Sequence, residues 1–195
     1  MMEHRLETPL SEAEVRELRV GQTVFLDGAL IGVRDATLIR IFDHRQAPPL
    51  DLRGAVVLHT APNVKRVGDH YEPVSVGTTT SMRMDRFTEG LLGQYGARGI
   101  IGKGGLSPKS LEAMRSCGGC YLAITGGAAA METTQIESIE GVWWEDLMPE
   151  CLWQFRVHEL GPLTVAMDAH GGNLYADVSA EAQRRLGDIL TGLGF

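Results

Sequence analysis

The run Val76-Gly77-Thr78-Thr79-Thr80-Ser81-Met82-Arg83-Met84-Asp85 concentrates four hydroxyl side chains and a guanidinium in a few residues. It stands between a glycine and the apolar residues Met84, Phe87, Leu91 and Leu92, whose spacing predicts one face of a helix. A helix starting there aims unpaired backbone N–H groups and the positive end of its dipole at whatever precedes it. Hydroxyl donors and an Arg beside that end make a binding site for a small anion. The plainer alternative is an ordinary N-cap with redundant threonines. Two more cations sit in comparable places. Arg34, in Arg34-Asp35, follows the apolar run Ala29–Val33 and precedes a helix-spaced run, Ala36–Phe42. Lys103 lies in Gly102-Lys103-Gly104-Gly105 after Ile100-Ile101, where glycines let a ligand come close. This loop is not a phosphate loop, because Ala97 and Gly104 stand where that motif needs Gly and a hydroxyl, and Ser107 replaces the third Gly of a dinucleotide fingerprint.

Other groups carry weaker signals. Cys117-Gly-Gly-Cys120 has metal or redox spacing, yet with Cys151 it makes only three cysteines. No second pair completes a zinc or cluster site, and Cys120 opens an apolar strand, so no metal is expected on this chain. Asp85 reads as a local cation partner or helix cap, Glu150 as a minor site candidate, and His170 as part of a Gly-rich turn. Trp143, Trp144 and Trp153 read as core or as a partner interface.

These side chains must be positioned by the elements around them. A Ser11…Glu14 capping box starts a short helix, and Gln22–Leu26 and Ala29–Val33 read as a hairpin turning at Asp27-Gly28. Gly54–His59 reads as a strand, Ala61–Glu72 as a polar segment rich in turn residues, and Ser107-Pro108 as a helix start. Strands follow at Tyr121–Thr125, Ile136–Trp144, Leu152–Val157 and Leu163–Met167, with a small-residue turn at Gly126–Ala130. An amphipathic helix spans Ser179–Leu193. The pattern predicts an α/β fold with a mixed sheet, in one domain over residues 1–195. With 195 residues, 44% hydrophobic, the chain has enough apolar material for one sizeable core. Its formal net charge of −7 argues against a nucleic-acid partner. No apolar run approaches the roughly 18 residues of a membrane span, and Met1–Arg5 lack a signal-like apolar stretch, so the expected location is cytoplasmic.

The order of the three cation loops, together with Gly126-Gly127-Ala128-Ala129 and Met148-Pro149-Glu150-Cys151-Leu152-Trp153, resembles the β subunit of iron–sulfur class I hydro-lyases, the L(+)-tartrate dehydratases and class I fumarases. The resemblance runs from Thr8-Pro9-Leu10 to about Leu174. The Ser75–Met84 run, Gly161-Pro162-Leu163 and Asp168-Ala-His170-Gly171 look closer to the tartrate branch. It implies a swivelling β/β/α domain like the mobile domain of aconitase-type enzymes. It further implies reversible loss of water from a small hydroxy-dicarboxylate, tartrate to oxaloacetate first and malate/fumarate as the alternative. Arg34, Thr79, Thr80, Arg83 and Lys103 would then bind substrate, with Thr79 or Thr80 taking the proton. The implied cofactor is a [4Fe-4S] cluster held by a separate α subunit, in an α2β2-type assembly. Two positions depart from the family pattern: Thr78 replaces a Pro, and Leu38 stands where a His usually follows the Arg-Asp pair. A non-catalytic anion-binding domain of the same fold is the reading from another class.

Overall fold

Capping chemistry sets the first helix. Glu14 donates its N–H to Ser11 Oγ at 3.2 Å while Ser11 donates its N–H to Glu14 Oε2 at 2.8 Å, closing the expected box on α1 (Glu12–Glu17). The computed structural model describes residues 2–124 and 132–193. The small-residue turn expected at Gly126–Ala130, with Thr125, lies outside them. Around α1 come β1 (Glu3–Glu7), β2 (Thr23–Val33), α2 (Asp35–Phe42) and β3 (Val56–His59). A hairpin of β4 (Asn63–Val67) and β5 (His70–Ser75) follows, then β6 (Gly99–Gly102), α3 (Pro108–Cys117) and β7 (Cys120–Ala123). The chain ends with β8 (Ile136–Trp143), β9 (Leu152–Met167) and α4 (Leu174–Gly192).

The sheet order is β1-β2-β3-β6-β7-β9-β8, and β2 also pairs with β9. The ring β2-β3-β6-β7-β9 therefore closes as a mixed, barrel-like sheet. Neighbours from β1 to β7 in this order run parallel, whereas β9 runs antiparallel to β2, β7 and β8. Alternation along the parallel strands feeds two cores. Leu30, Val56, Leu58, Ile101 and Leu122 point inward with Trp153 and Phe155. Ile31, Val57, Ile100 and Tyr121 point outward, against Leu38, Met84, Phe87 and Met114 of the flanking helical segments.

Several expectations change. Asp27-Gly28 is a bulge within one continuous strand, not a hairpin turn. Gly28 has φ 102°, and a Cβ there would lie 2.7 Å from Thr8 Oγ1. The Asp27 carboxylate is held instead by β9, accepting the Glu159 N–H at 2.9 Å and lying 2.7 Å from His158 Nδ1. Leu152–Val157 and Leu163–Met167 likewise merge into one strand. The Gln135 amide takes the place of a strand neighbour at the joint, accepting from Gly161 N–H and donating to Gly161 C=O. The polar Ala61–Glu72 segment holds β4 and the first half of β5, which pair as a hairpin. The helix expected after Thr80 is a 3₁₀ segment, Ser81–Phe87, followed by a π turn, Gly90–Gln94, in which the adjacent Leu91 and Leu92 are both buried. Helix α4 begins five residues before the expected Ser179, because the Asn173 side chain accepts the Tyr175 and Ala176 N–H groups. The cap of α3 is as expected, with Ser107 accepting from the Ser110 N–H and Pro108 in the first turn.

Candidate active site at the strand ends

In parallel sheets, closed as well as open, ligands collect beyond the carboxyl ends of the strands, where the connecting loops carry the site. β2 ends into Arg34, β3 into His59-Thr60 and β6 into Lys103, and register sets these ends side by side, with Val33 opposite His59 and Leu58 opposite Ile101. The Thr78–Ser81 run crosses this edge. Thr78 bridges Thr60 and Thr80 bridges Lys103. The Thr79 N–H donates to the His59 C=O at 2.9 Å, and the Ser81 N–H to the Lys103 C=O at 3.0 Å. Backbone pairing, not a helix cap, thus brings the hydroxyl run to Lys103. Thr80 makes no side-chain cap, and the short 3₁₀ segment offers no α-helical N-terminus. The helix dipole on which the expected anion site rested is therefore absent, and what this edge carries instead is strand ends and cations.

Arg34 and Arg83 converge on Asp35. Arg83 Nη2 lies 3.1 Å from Asp35 Oδ2, and Arg34 Nε lies 3.4 Å from both Asp35 Oδ2 and Glu150 Oε1. Charge-assisted N–H···O bonds are normally about 2.7–2.9 Å. Arg34 Nε and Asp35 Oδ2 are both buried without a hydrogen-bond partner among the described residues. The two Arg34 contacts are loose, so its guanidinium keeps donor capacity. Lys103 forms no ion pair among the described residues. Thr80 and Arg83 are exposed, Thr79 and Lys103 half-buried, so the edge is open to another surface. A cavity of about 330 Å³ lies elsewhere, beside Thr8, Ile31, Arg53 and Ala55 toward the amino end of β3.

Glu150 is nearer the site than its sequence context suggested. Its Oε2 accepts the Ala36 N–H at 2.9 Å, capping α2 where Arg34 has no capping side chain, and its C=O accepts from Thr37 Oγ1. Asp85 serves another helix: its carboxylate accepts from Ser107 N–H, Ser107 Oγ and Ser110 Oγ, each at 2.7 Å. These bonds hold its carboxyl below the usual range even though burial opposes them more strongly than any one bond. His170 packs in its turn, with Nε2 2.8 Å from the Arg16 C=O. Leu38 is fully buried with Val33, Met84 and Leu152, so the departure at that position lies in the core beneath the edge.

Sequence reasoning missed the layer under the threonines. His59 is fully buried, its Nδ1 is 2.9 Å from Ser81 Oγ, and Tyr121 Oη donates to the same oxygen at 2.9 Å. Gly102 makes room for this contact, since a Cβ there would sit 1.9 Å from Ser81 Oγ. Burial lowers the His59 pKa to about 4, against the opposing pull of Asp35. A histidine closing the otherwise apolar strand Val56-Val57-Leu58 was the available signal.

The cysteines do not fit a cluster. Cys120 and Cys151 are buried, and desolvation raises their thiols to about 12 and about 11, against the thiolate that iron or zinc requires. Cys117 is half-buried, and no group of three or more His, Cys, Asp or Glu among the described residues is arranged to hold a metal ion.

This architecture defines a mixed α/β protein that carries Arg34, Lys103 and a hydroxyl run at the carboxyl ends of adjoining strands. Residues 2–178 match the family described as Fumarase C-terminus, and the chain belongs to that family. It is 40% identical to the L(+)-tartrate dehydratase subunit beta of Escherichia coli strain K12, over 90% of this chain and 88% of that protein. It is 33% identical to a putative L(+)-tartrate dehydratase subunit beta of Methanocaldococcus jannaschii, over 93% and 95%. A putative class I fumarate hydratase of Geobacillus stearothermophilus is 35% identical over 93% of this chain but only 35% of its own length.

Proposed function

We propose that this chain is the β subunit of a hydro-lyase that reversibly removes water from a small hydroxy-dicarboxylate, with L(+)-tartrate first. Malate/fumarate is the second reading, favoured by the relative named for fumarate hydratase. The observations that support the reading most are the convergence of Arg34 and Arg83 on Asp35 and the pairing of Lys103 with Thr80, at the carboxyl ends of adjoining strands. A dicarboxylate needs two cationic anchors with fixed geometry, and a guanidinium fork supplies orientation that an ammonium does not. Arg34 and Arg83 hold the carboxylates by displacing Asp35 from its loose contacts. Lys103, the register partner of Thr80, adds a point charge that favours the alkoxide form of a neighbouring hydroxyl. Thr79 or Thr80 takes the proton from the carbon next to the departing hydroxyl. A threonine hydroxyl is too weak a base unaided, so a basic group must face it across the open edge.

The fold is read as a single swivelling β/β/α domain that closes on a partner α subunit, in an α2β2-type assembly. The [4Fe-4S] cluster implied by the resemblance is assigned to that α subunit, since this chain's thiols do not fit one. Co-expression with a cysteine-bearing α subunit, followed by an anaerobic screen over hydroxy-dicarboxylates, tests the reading. Turnover of L(+)-tartrate or malate supports it. A stable complex inert on both acids overturns it in favour of a non-catalytic binding domain.

A further inference from the structure

The hydroxyl run is held from beneath by a hydrogen-bonded chain that the proposed chemistry has not used. Ser81 Oγ has one proton to give. It accepts from Tyr121 Oη at 2.9 Å and lies 2.9 Å from His59 Nδ1. Tyr121 takes one of the two lone pairs, and the hydroxyl's own proton has no acceptor among the described residues other than His59 Nδ1, so the hydroxyl donates there. That places the proton of the neutral imidazole on Nε2. Nε2 is itself buried and has no partner among the described residues.

We propose that His59 is a positioning residue of the site: as the Nε2–H tautomer it fixes Ser81, and through Ser81 the Thr79-Thr80 backbone. The geometry shows why an imidazole is used. Thr79 N–H and Ser81 N–H are tied by backbone bonds to β3 and β6, which fix where the run crosses the edge. Those bonds leave its side chains free to rotate. The Ser81 side chain is the inward anchor of the run, and Gly102 is bare so that Ser81 can reach it. His59 stands on the outward face of β3, the face that also carries Val57, and so meets Ser81 of the 3₁₀ segment and Tyr121 of β7 in one layer. Packing alone would be served by an isosteric apolar side chain. A buried nitrogen that finds no partner is costly, and such a group is retained where its polarity is used.

In its catalytic part this inference rests on the hydro-lyase reading, so the experiment has two arms. The first uses the chain itself, labelled with ¹⁵N-histidine. The His59 resonances are assigned by their loss in His59→Leu, and neutral Nε2–H with an unprotonated Nδ1 is expected. An Nδ1–H signature overturns the inference whatever the enzyme does. The second arm compares three variants in the complex with the α subunit. His59→Asn can place its amide where Nδ1 was and keep the Ser81 bond, His59→Gln reaches toward Nε2 instead, and His59→Leu keeps volume only. Loss of a hydrogen bond that acts in the transition state predicts roughly a tenfold or greater fall in kcat for His59→Leu, with KM little changed. His59→Asn recovers most of that loss and His59→Gln does not. If His59→Leu retains wild-type kcat, or His59→Asn is as impaired as His59→Leu, the role is packing and the inference fails. A wild-type complex that turns over neither acid sinks the hydro-lyase reading and, with it, the effect of His59 on turnover. The tautomer and Ser81 anchoring are still decided by the first arm.

Discussion

Acidification from pH 7 to pH 5 should destabilise this chain mainly through one side chain. His59 is fully buried at the end of β3, and desolvation of the imidazolium lowers its pKa from 6.5 to about 4. The unfolded chain therefore binds a proton that the folded chain refuses. The stabilisation is complete above pH 6.5 and is lost as pH falls toward 4. A shift of this size corresponds to about 3 kcal/mol in full, at about 1.4 kcal/mol per pKa unit, and about 2 kcal/mol of it falls between pH 7 and pH 5. The carboxylates with lowered values do not confuse this window. Asp27, Asp51, Asp85, Asp146 and Asp168 start from 3.8, and Glu12, Glu14 and Glu181 from 4.5, so their stabilisation is present above those values and lost below them. Urea unfolding at the two pH values, followed by tryptophan fluorescence, reads the effect. A slope of about 2 kcal/mol/M turns it into a midpoint about 1 M lower at pH 5. His59→Leu should show little of this dependence. A wild-type midpoint unchanged between pH 7 and pH 5, or an equal shift in His59→Leu, would refute the reasoning.

Other perturbations follow from the same geometry. Gly102→Ala drives a Cβ to 1.9 Å from Ser81 Oγ, so the 3₁₀ segment must move; activity of the complex should fall at least tenfold (on the order of 1.4 kcal/mol of lost alignment), measured as kcat. Asp85→Ala removes the acceptor for two serine hydroxyls and the Ser107 N–H, costing about 2 kcal/mol in urea unfolding, with Asp85→Asn recovering part. Gly28→Val meets both positive φ and the Thr8 contact, so it should lower the unfolding midpoint more than Gly21→Val, where φ is also positive but no atom lies within 4 Å.

What could be read in the sequence was local. Ser11 and Glu14 are three residues apart, and Ser107 adjoins Pro108, so their caps follow from short-range chemistry. Arg34 and Lys103 were legible for a related reason: each follows an apolar strand, and a strand's carboxyl end is where a loop can carry function, whereas Arg83 stood out by the hydroxyl run beside it. Bonds made across long separations were not legible. His59 meets Ser81 after 22 residues and Tyr121 meets Ser81 after 40, and neither spacing has a motif. Asp27-Gly28 resembled a turn because that dipeptide suits φ > 0, yet the same freedom serves a bulge once Thr8 and β9 press on it. The hydroxyl run was read as a helix start, whereas backbone pairing to His59 and Lys103 makes it a cross-link between strand ends.

The most direct test of the central claim is kcat/KM for L(+)-tartrate in the complex of Arg83→Ala with its α subunit, assayed anaerobically beside wild type. If the Arg83 guanidinium holds a substrate carboxylate, its loss removes a charge-assisted bond of about 3 kcal/mol and kcat/KM falls on the order of a hundredfold. Arg83→Lys should recover little, because the ammonium lacks the fork. A value for Arg83→Ala within about twofold of wild type, which is less than about 0.5 kcal/mol, would contradict the account.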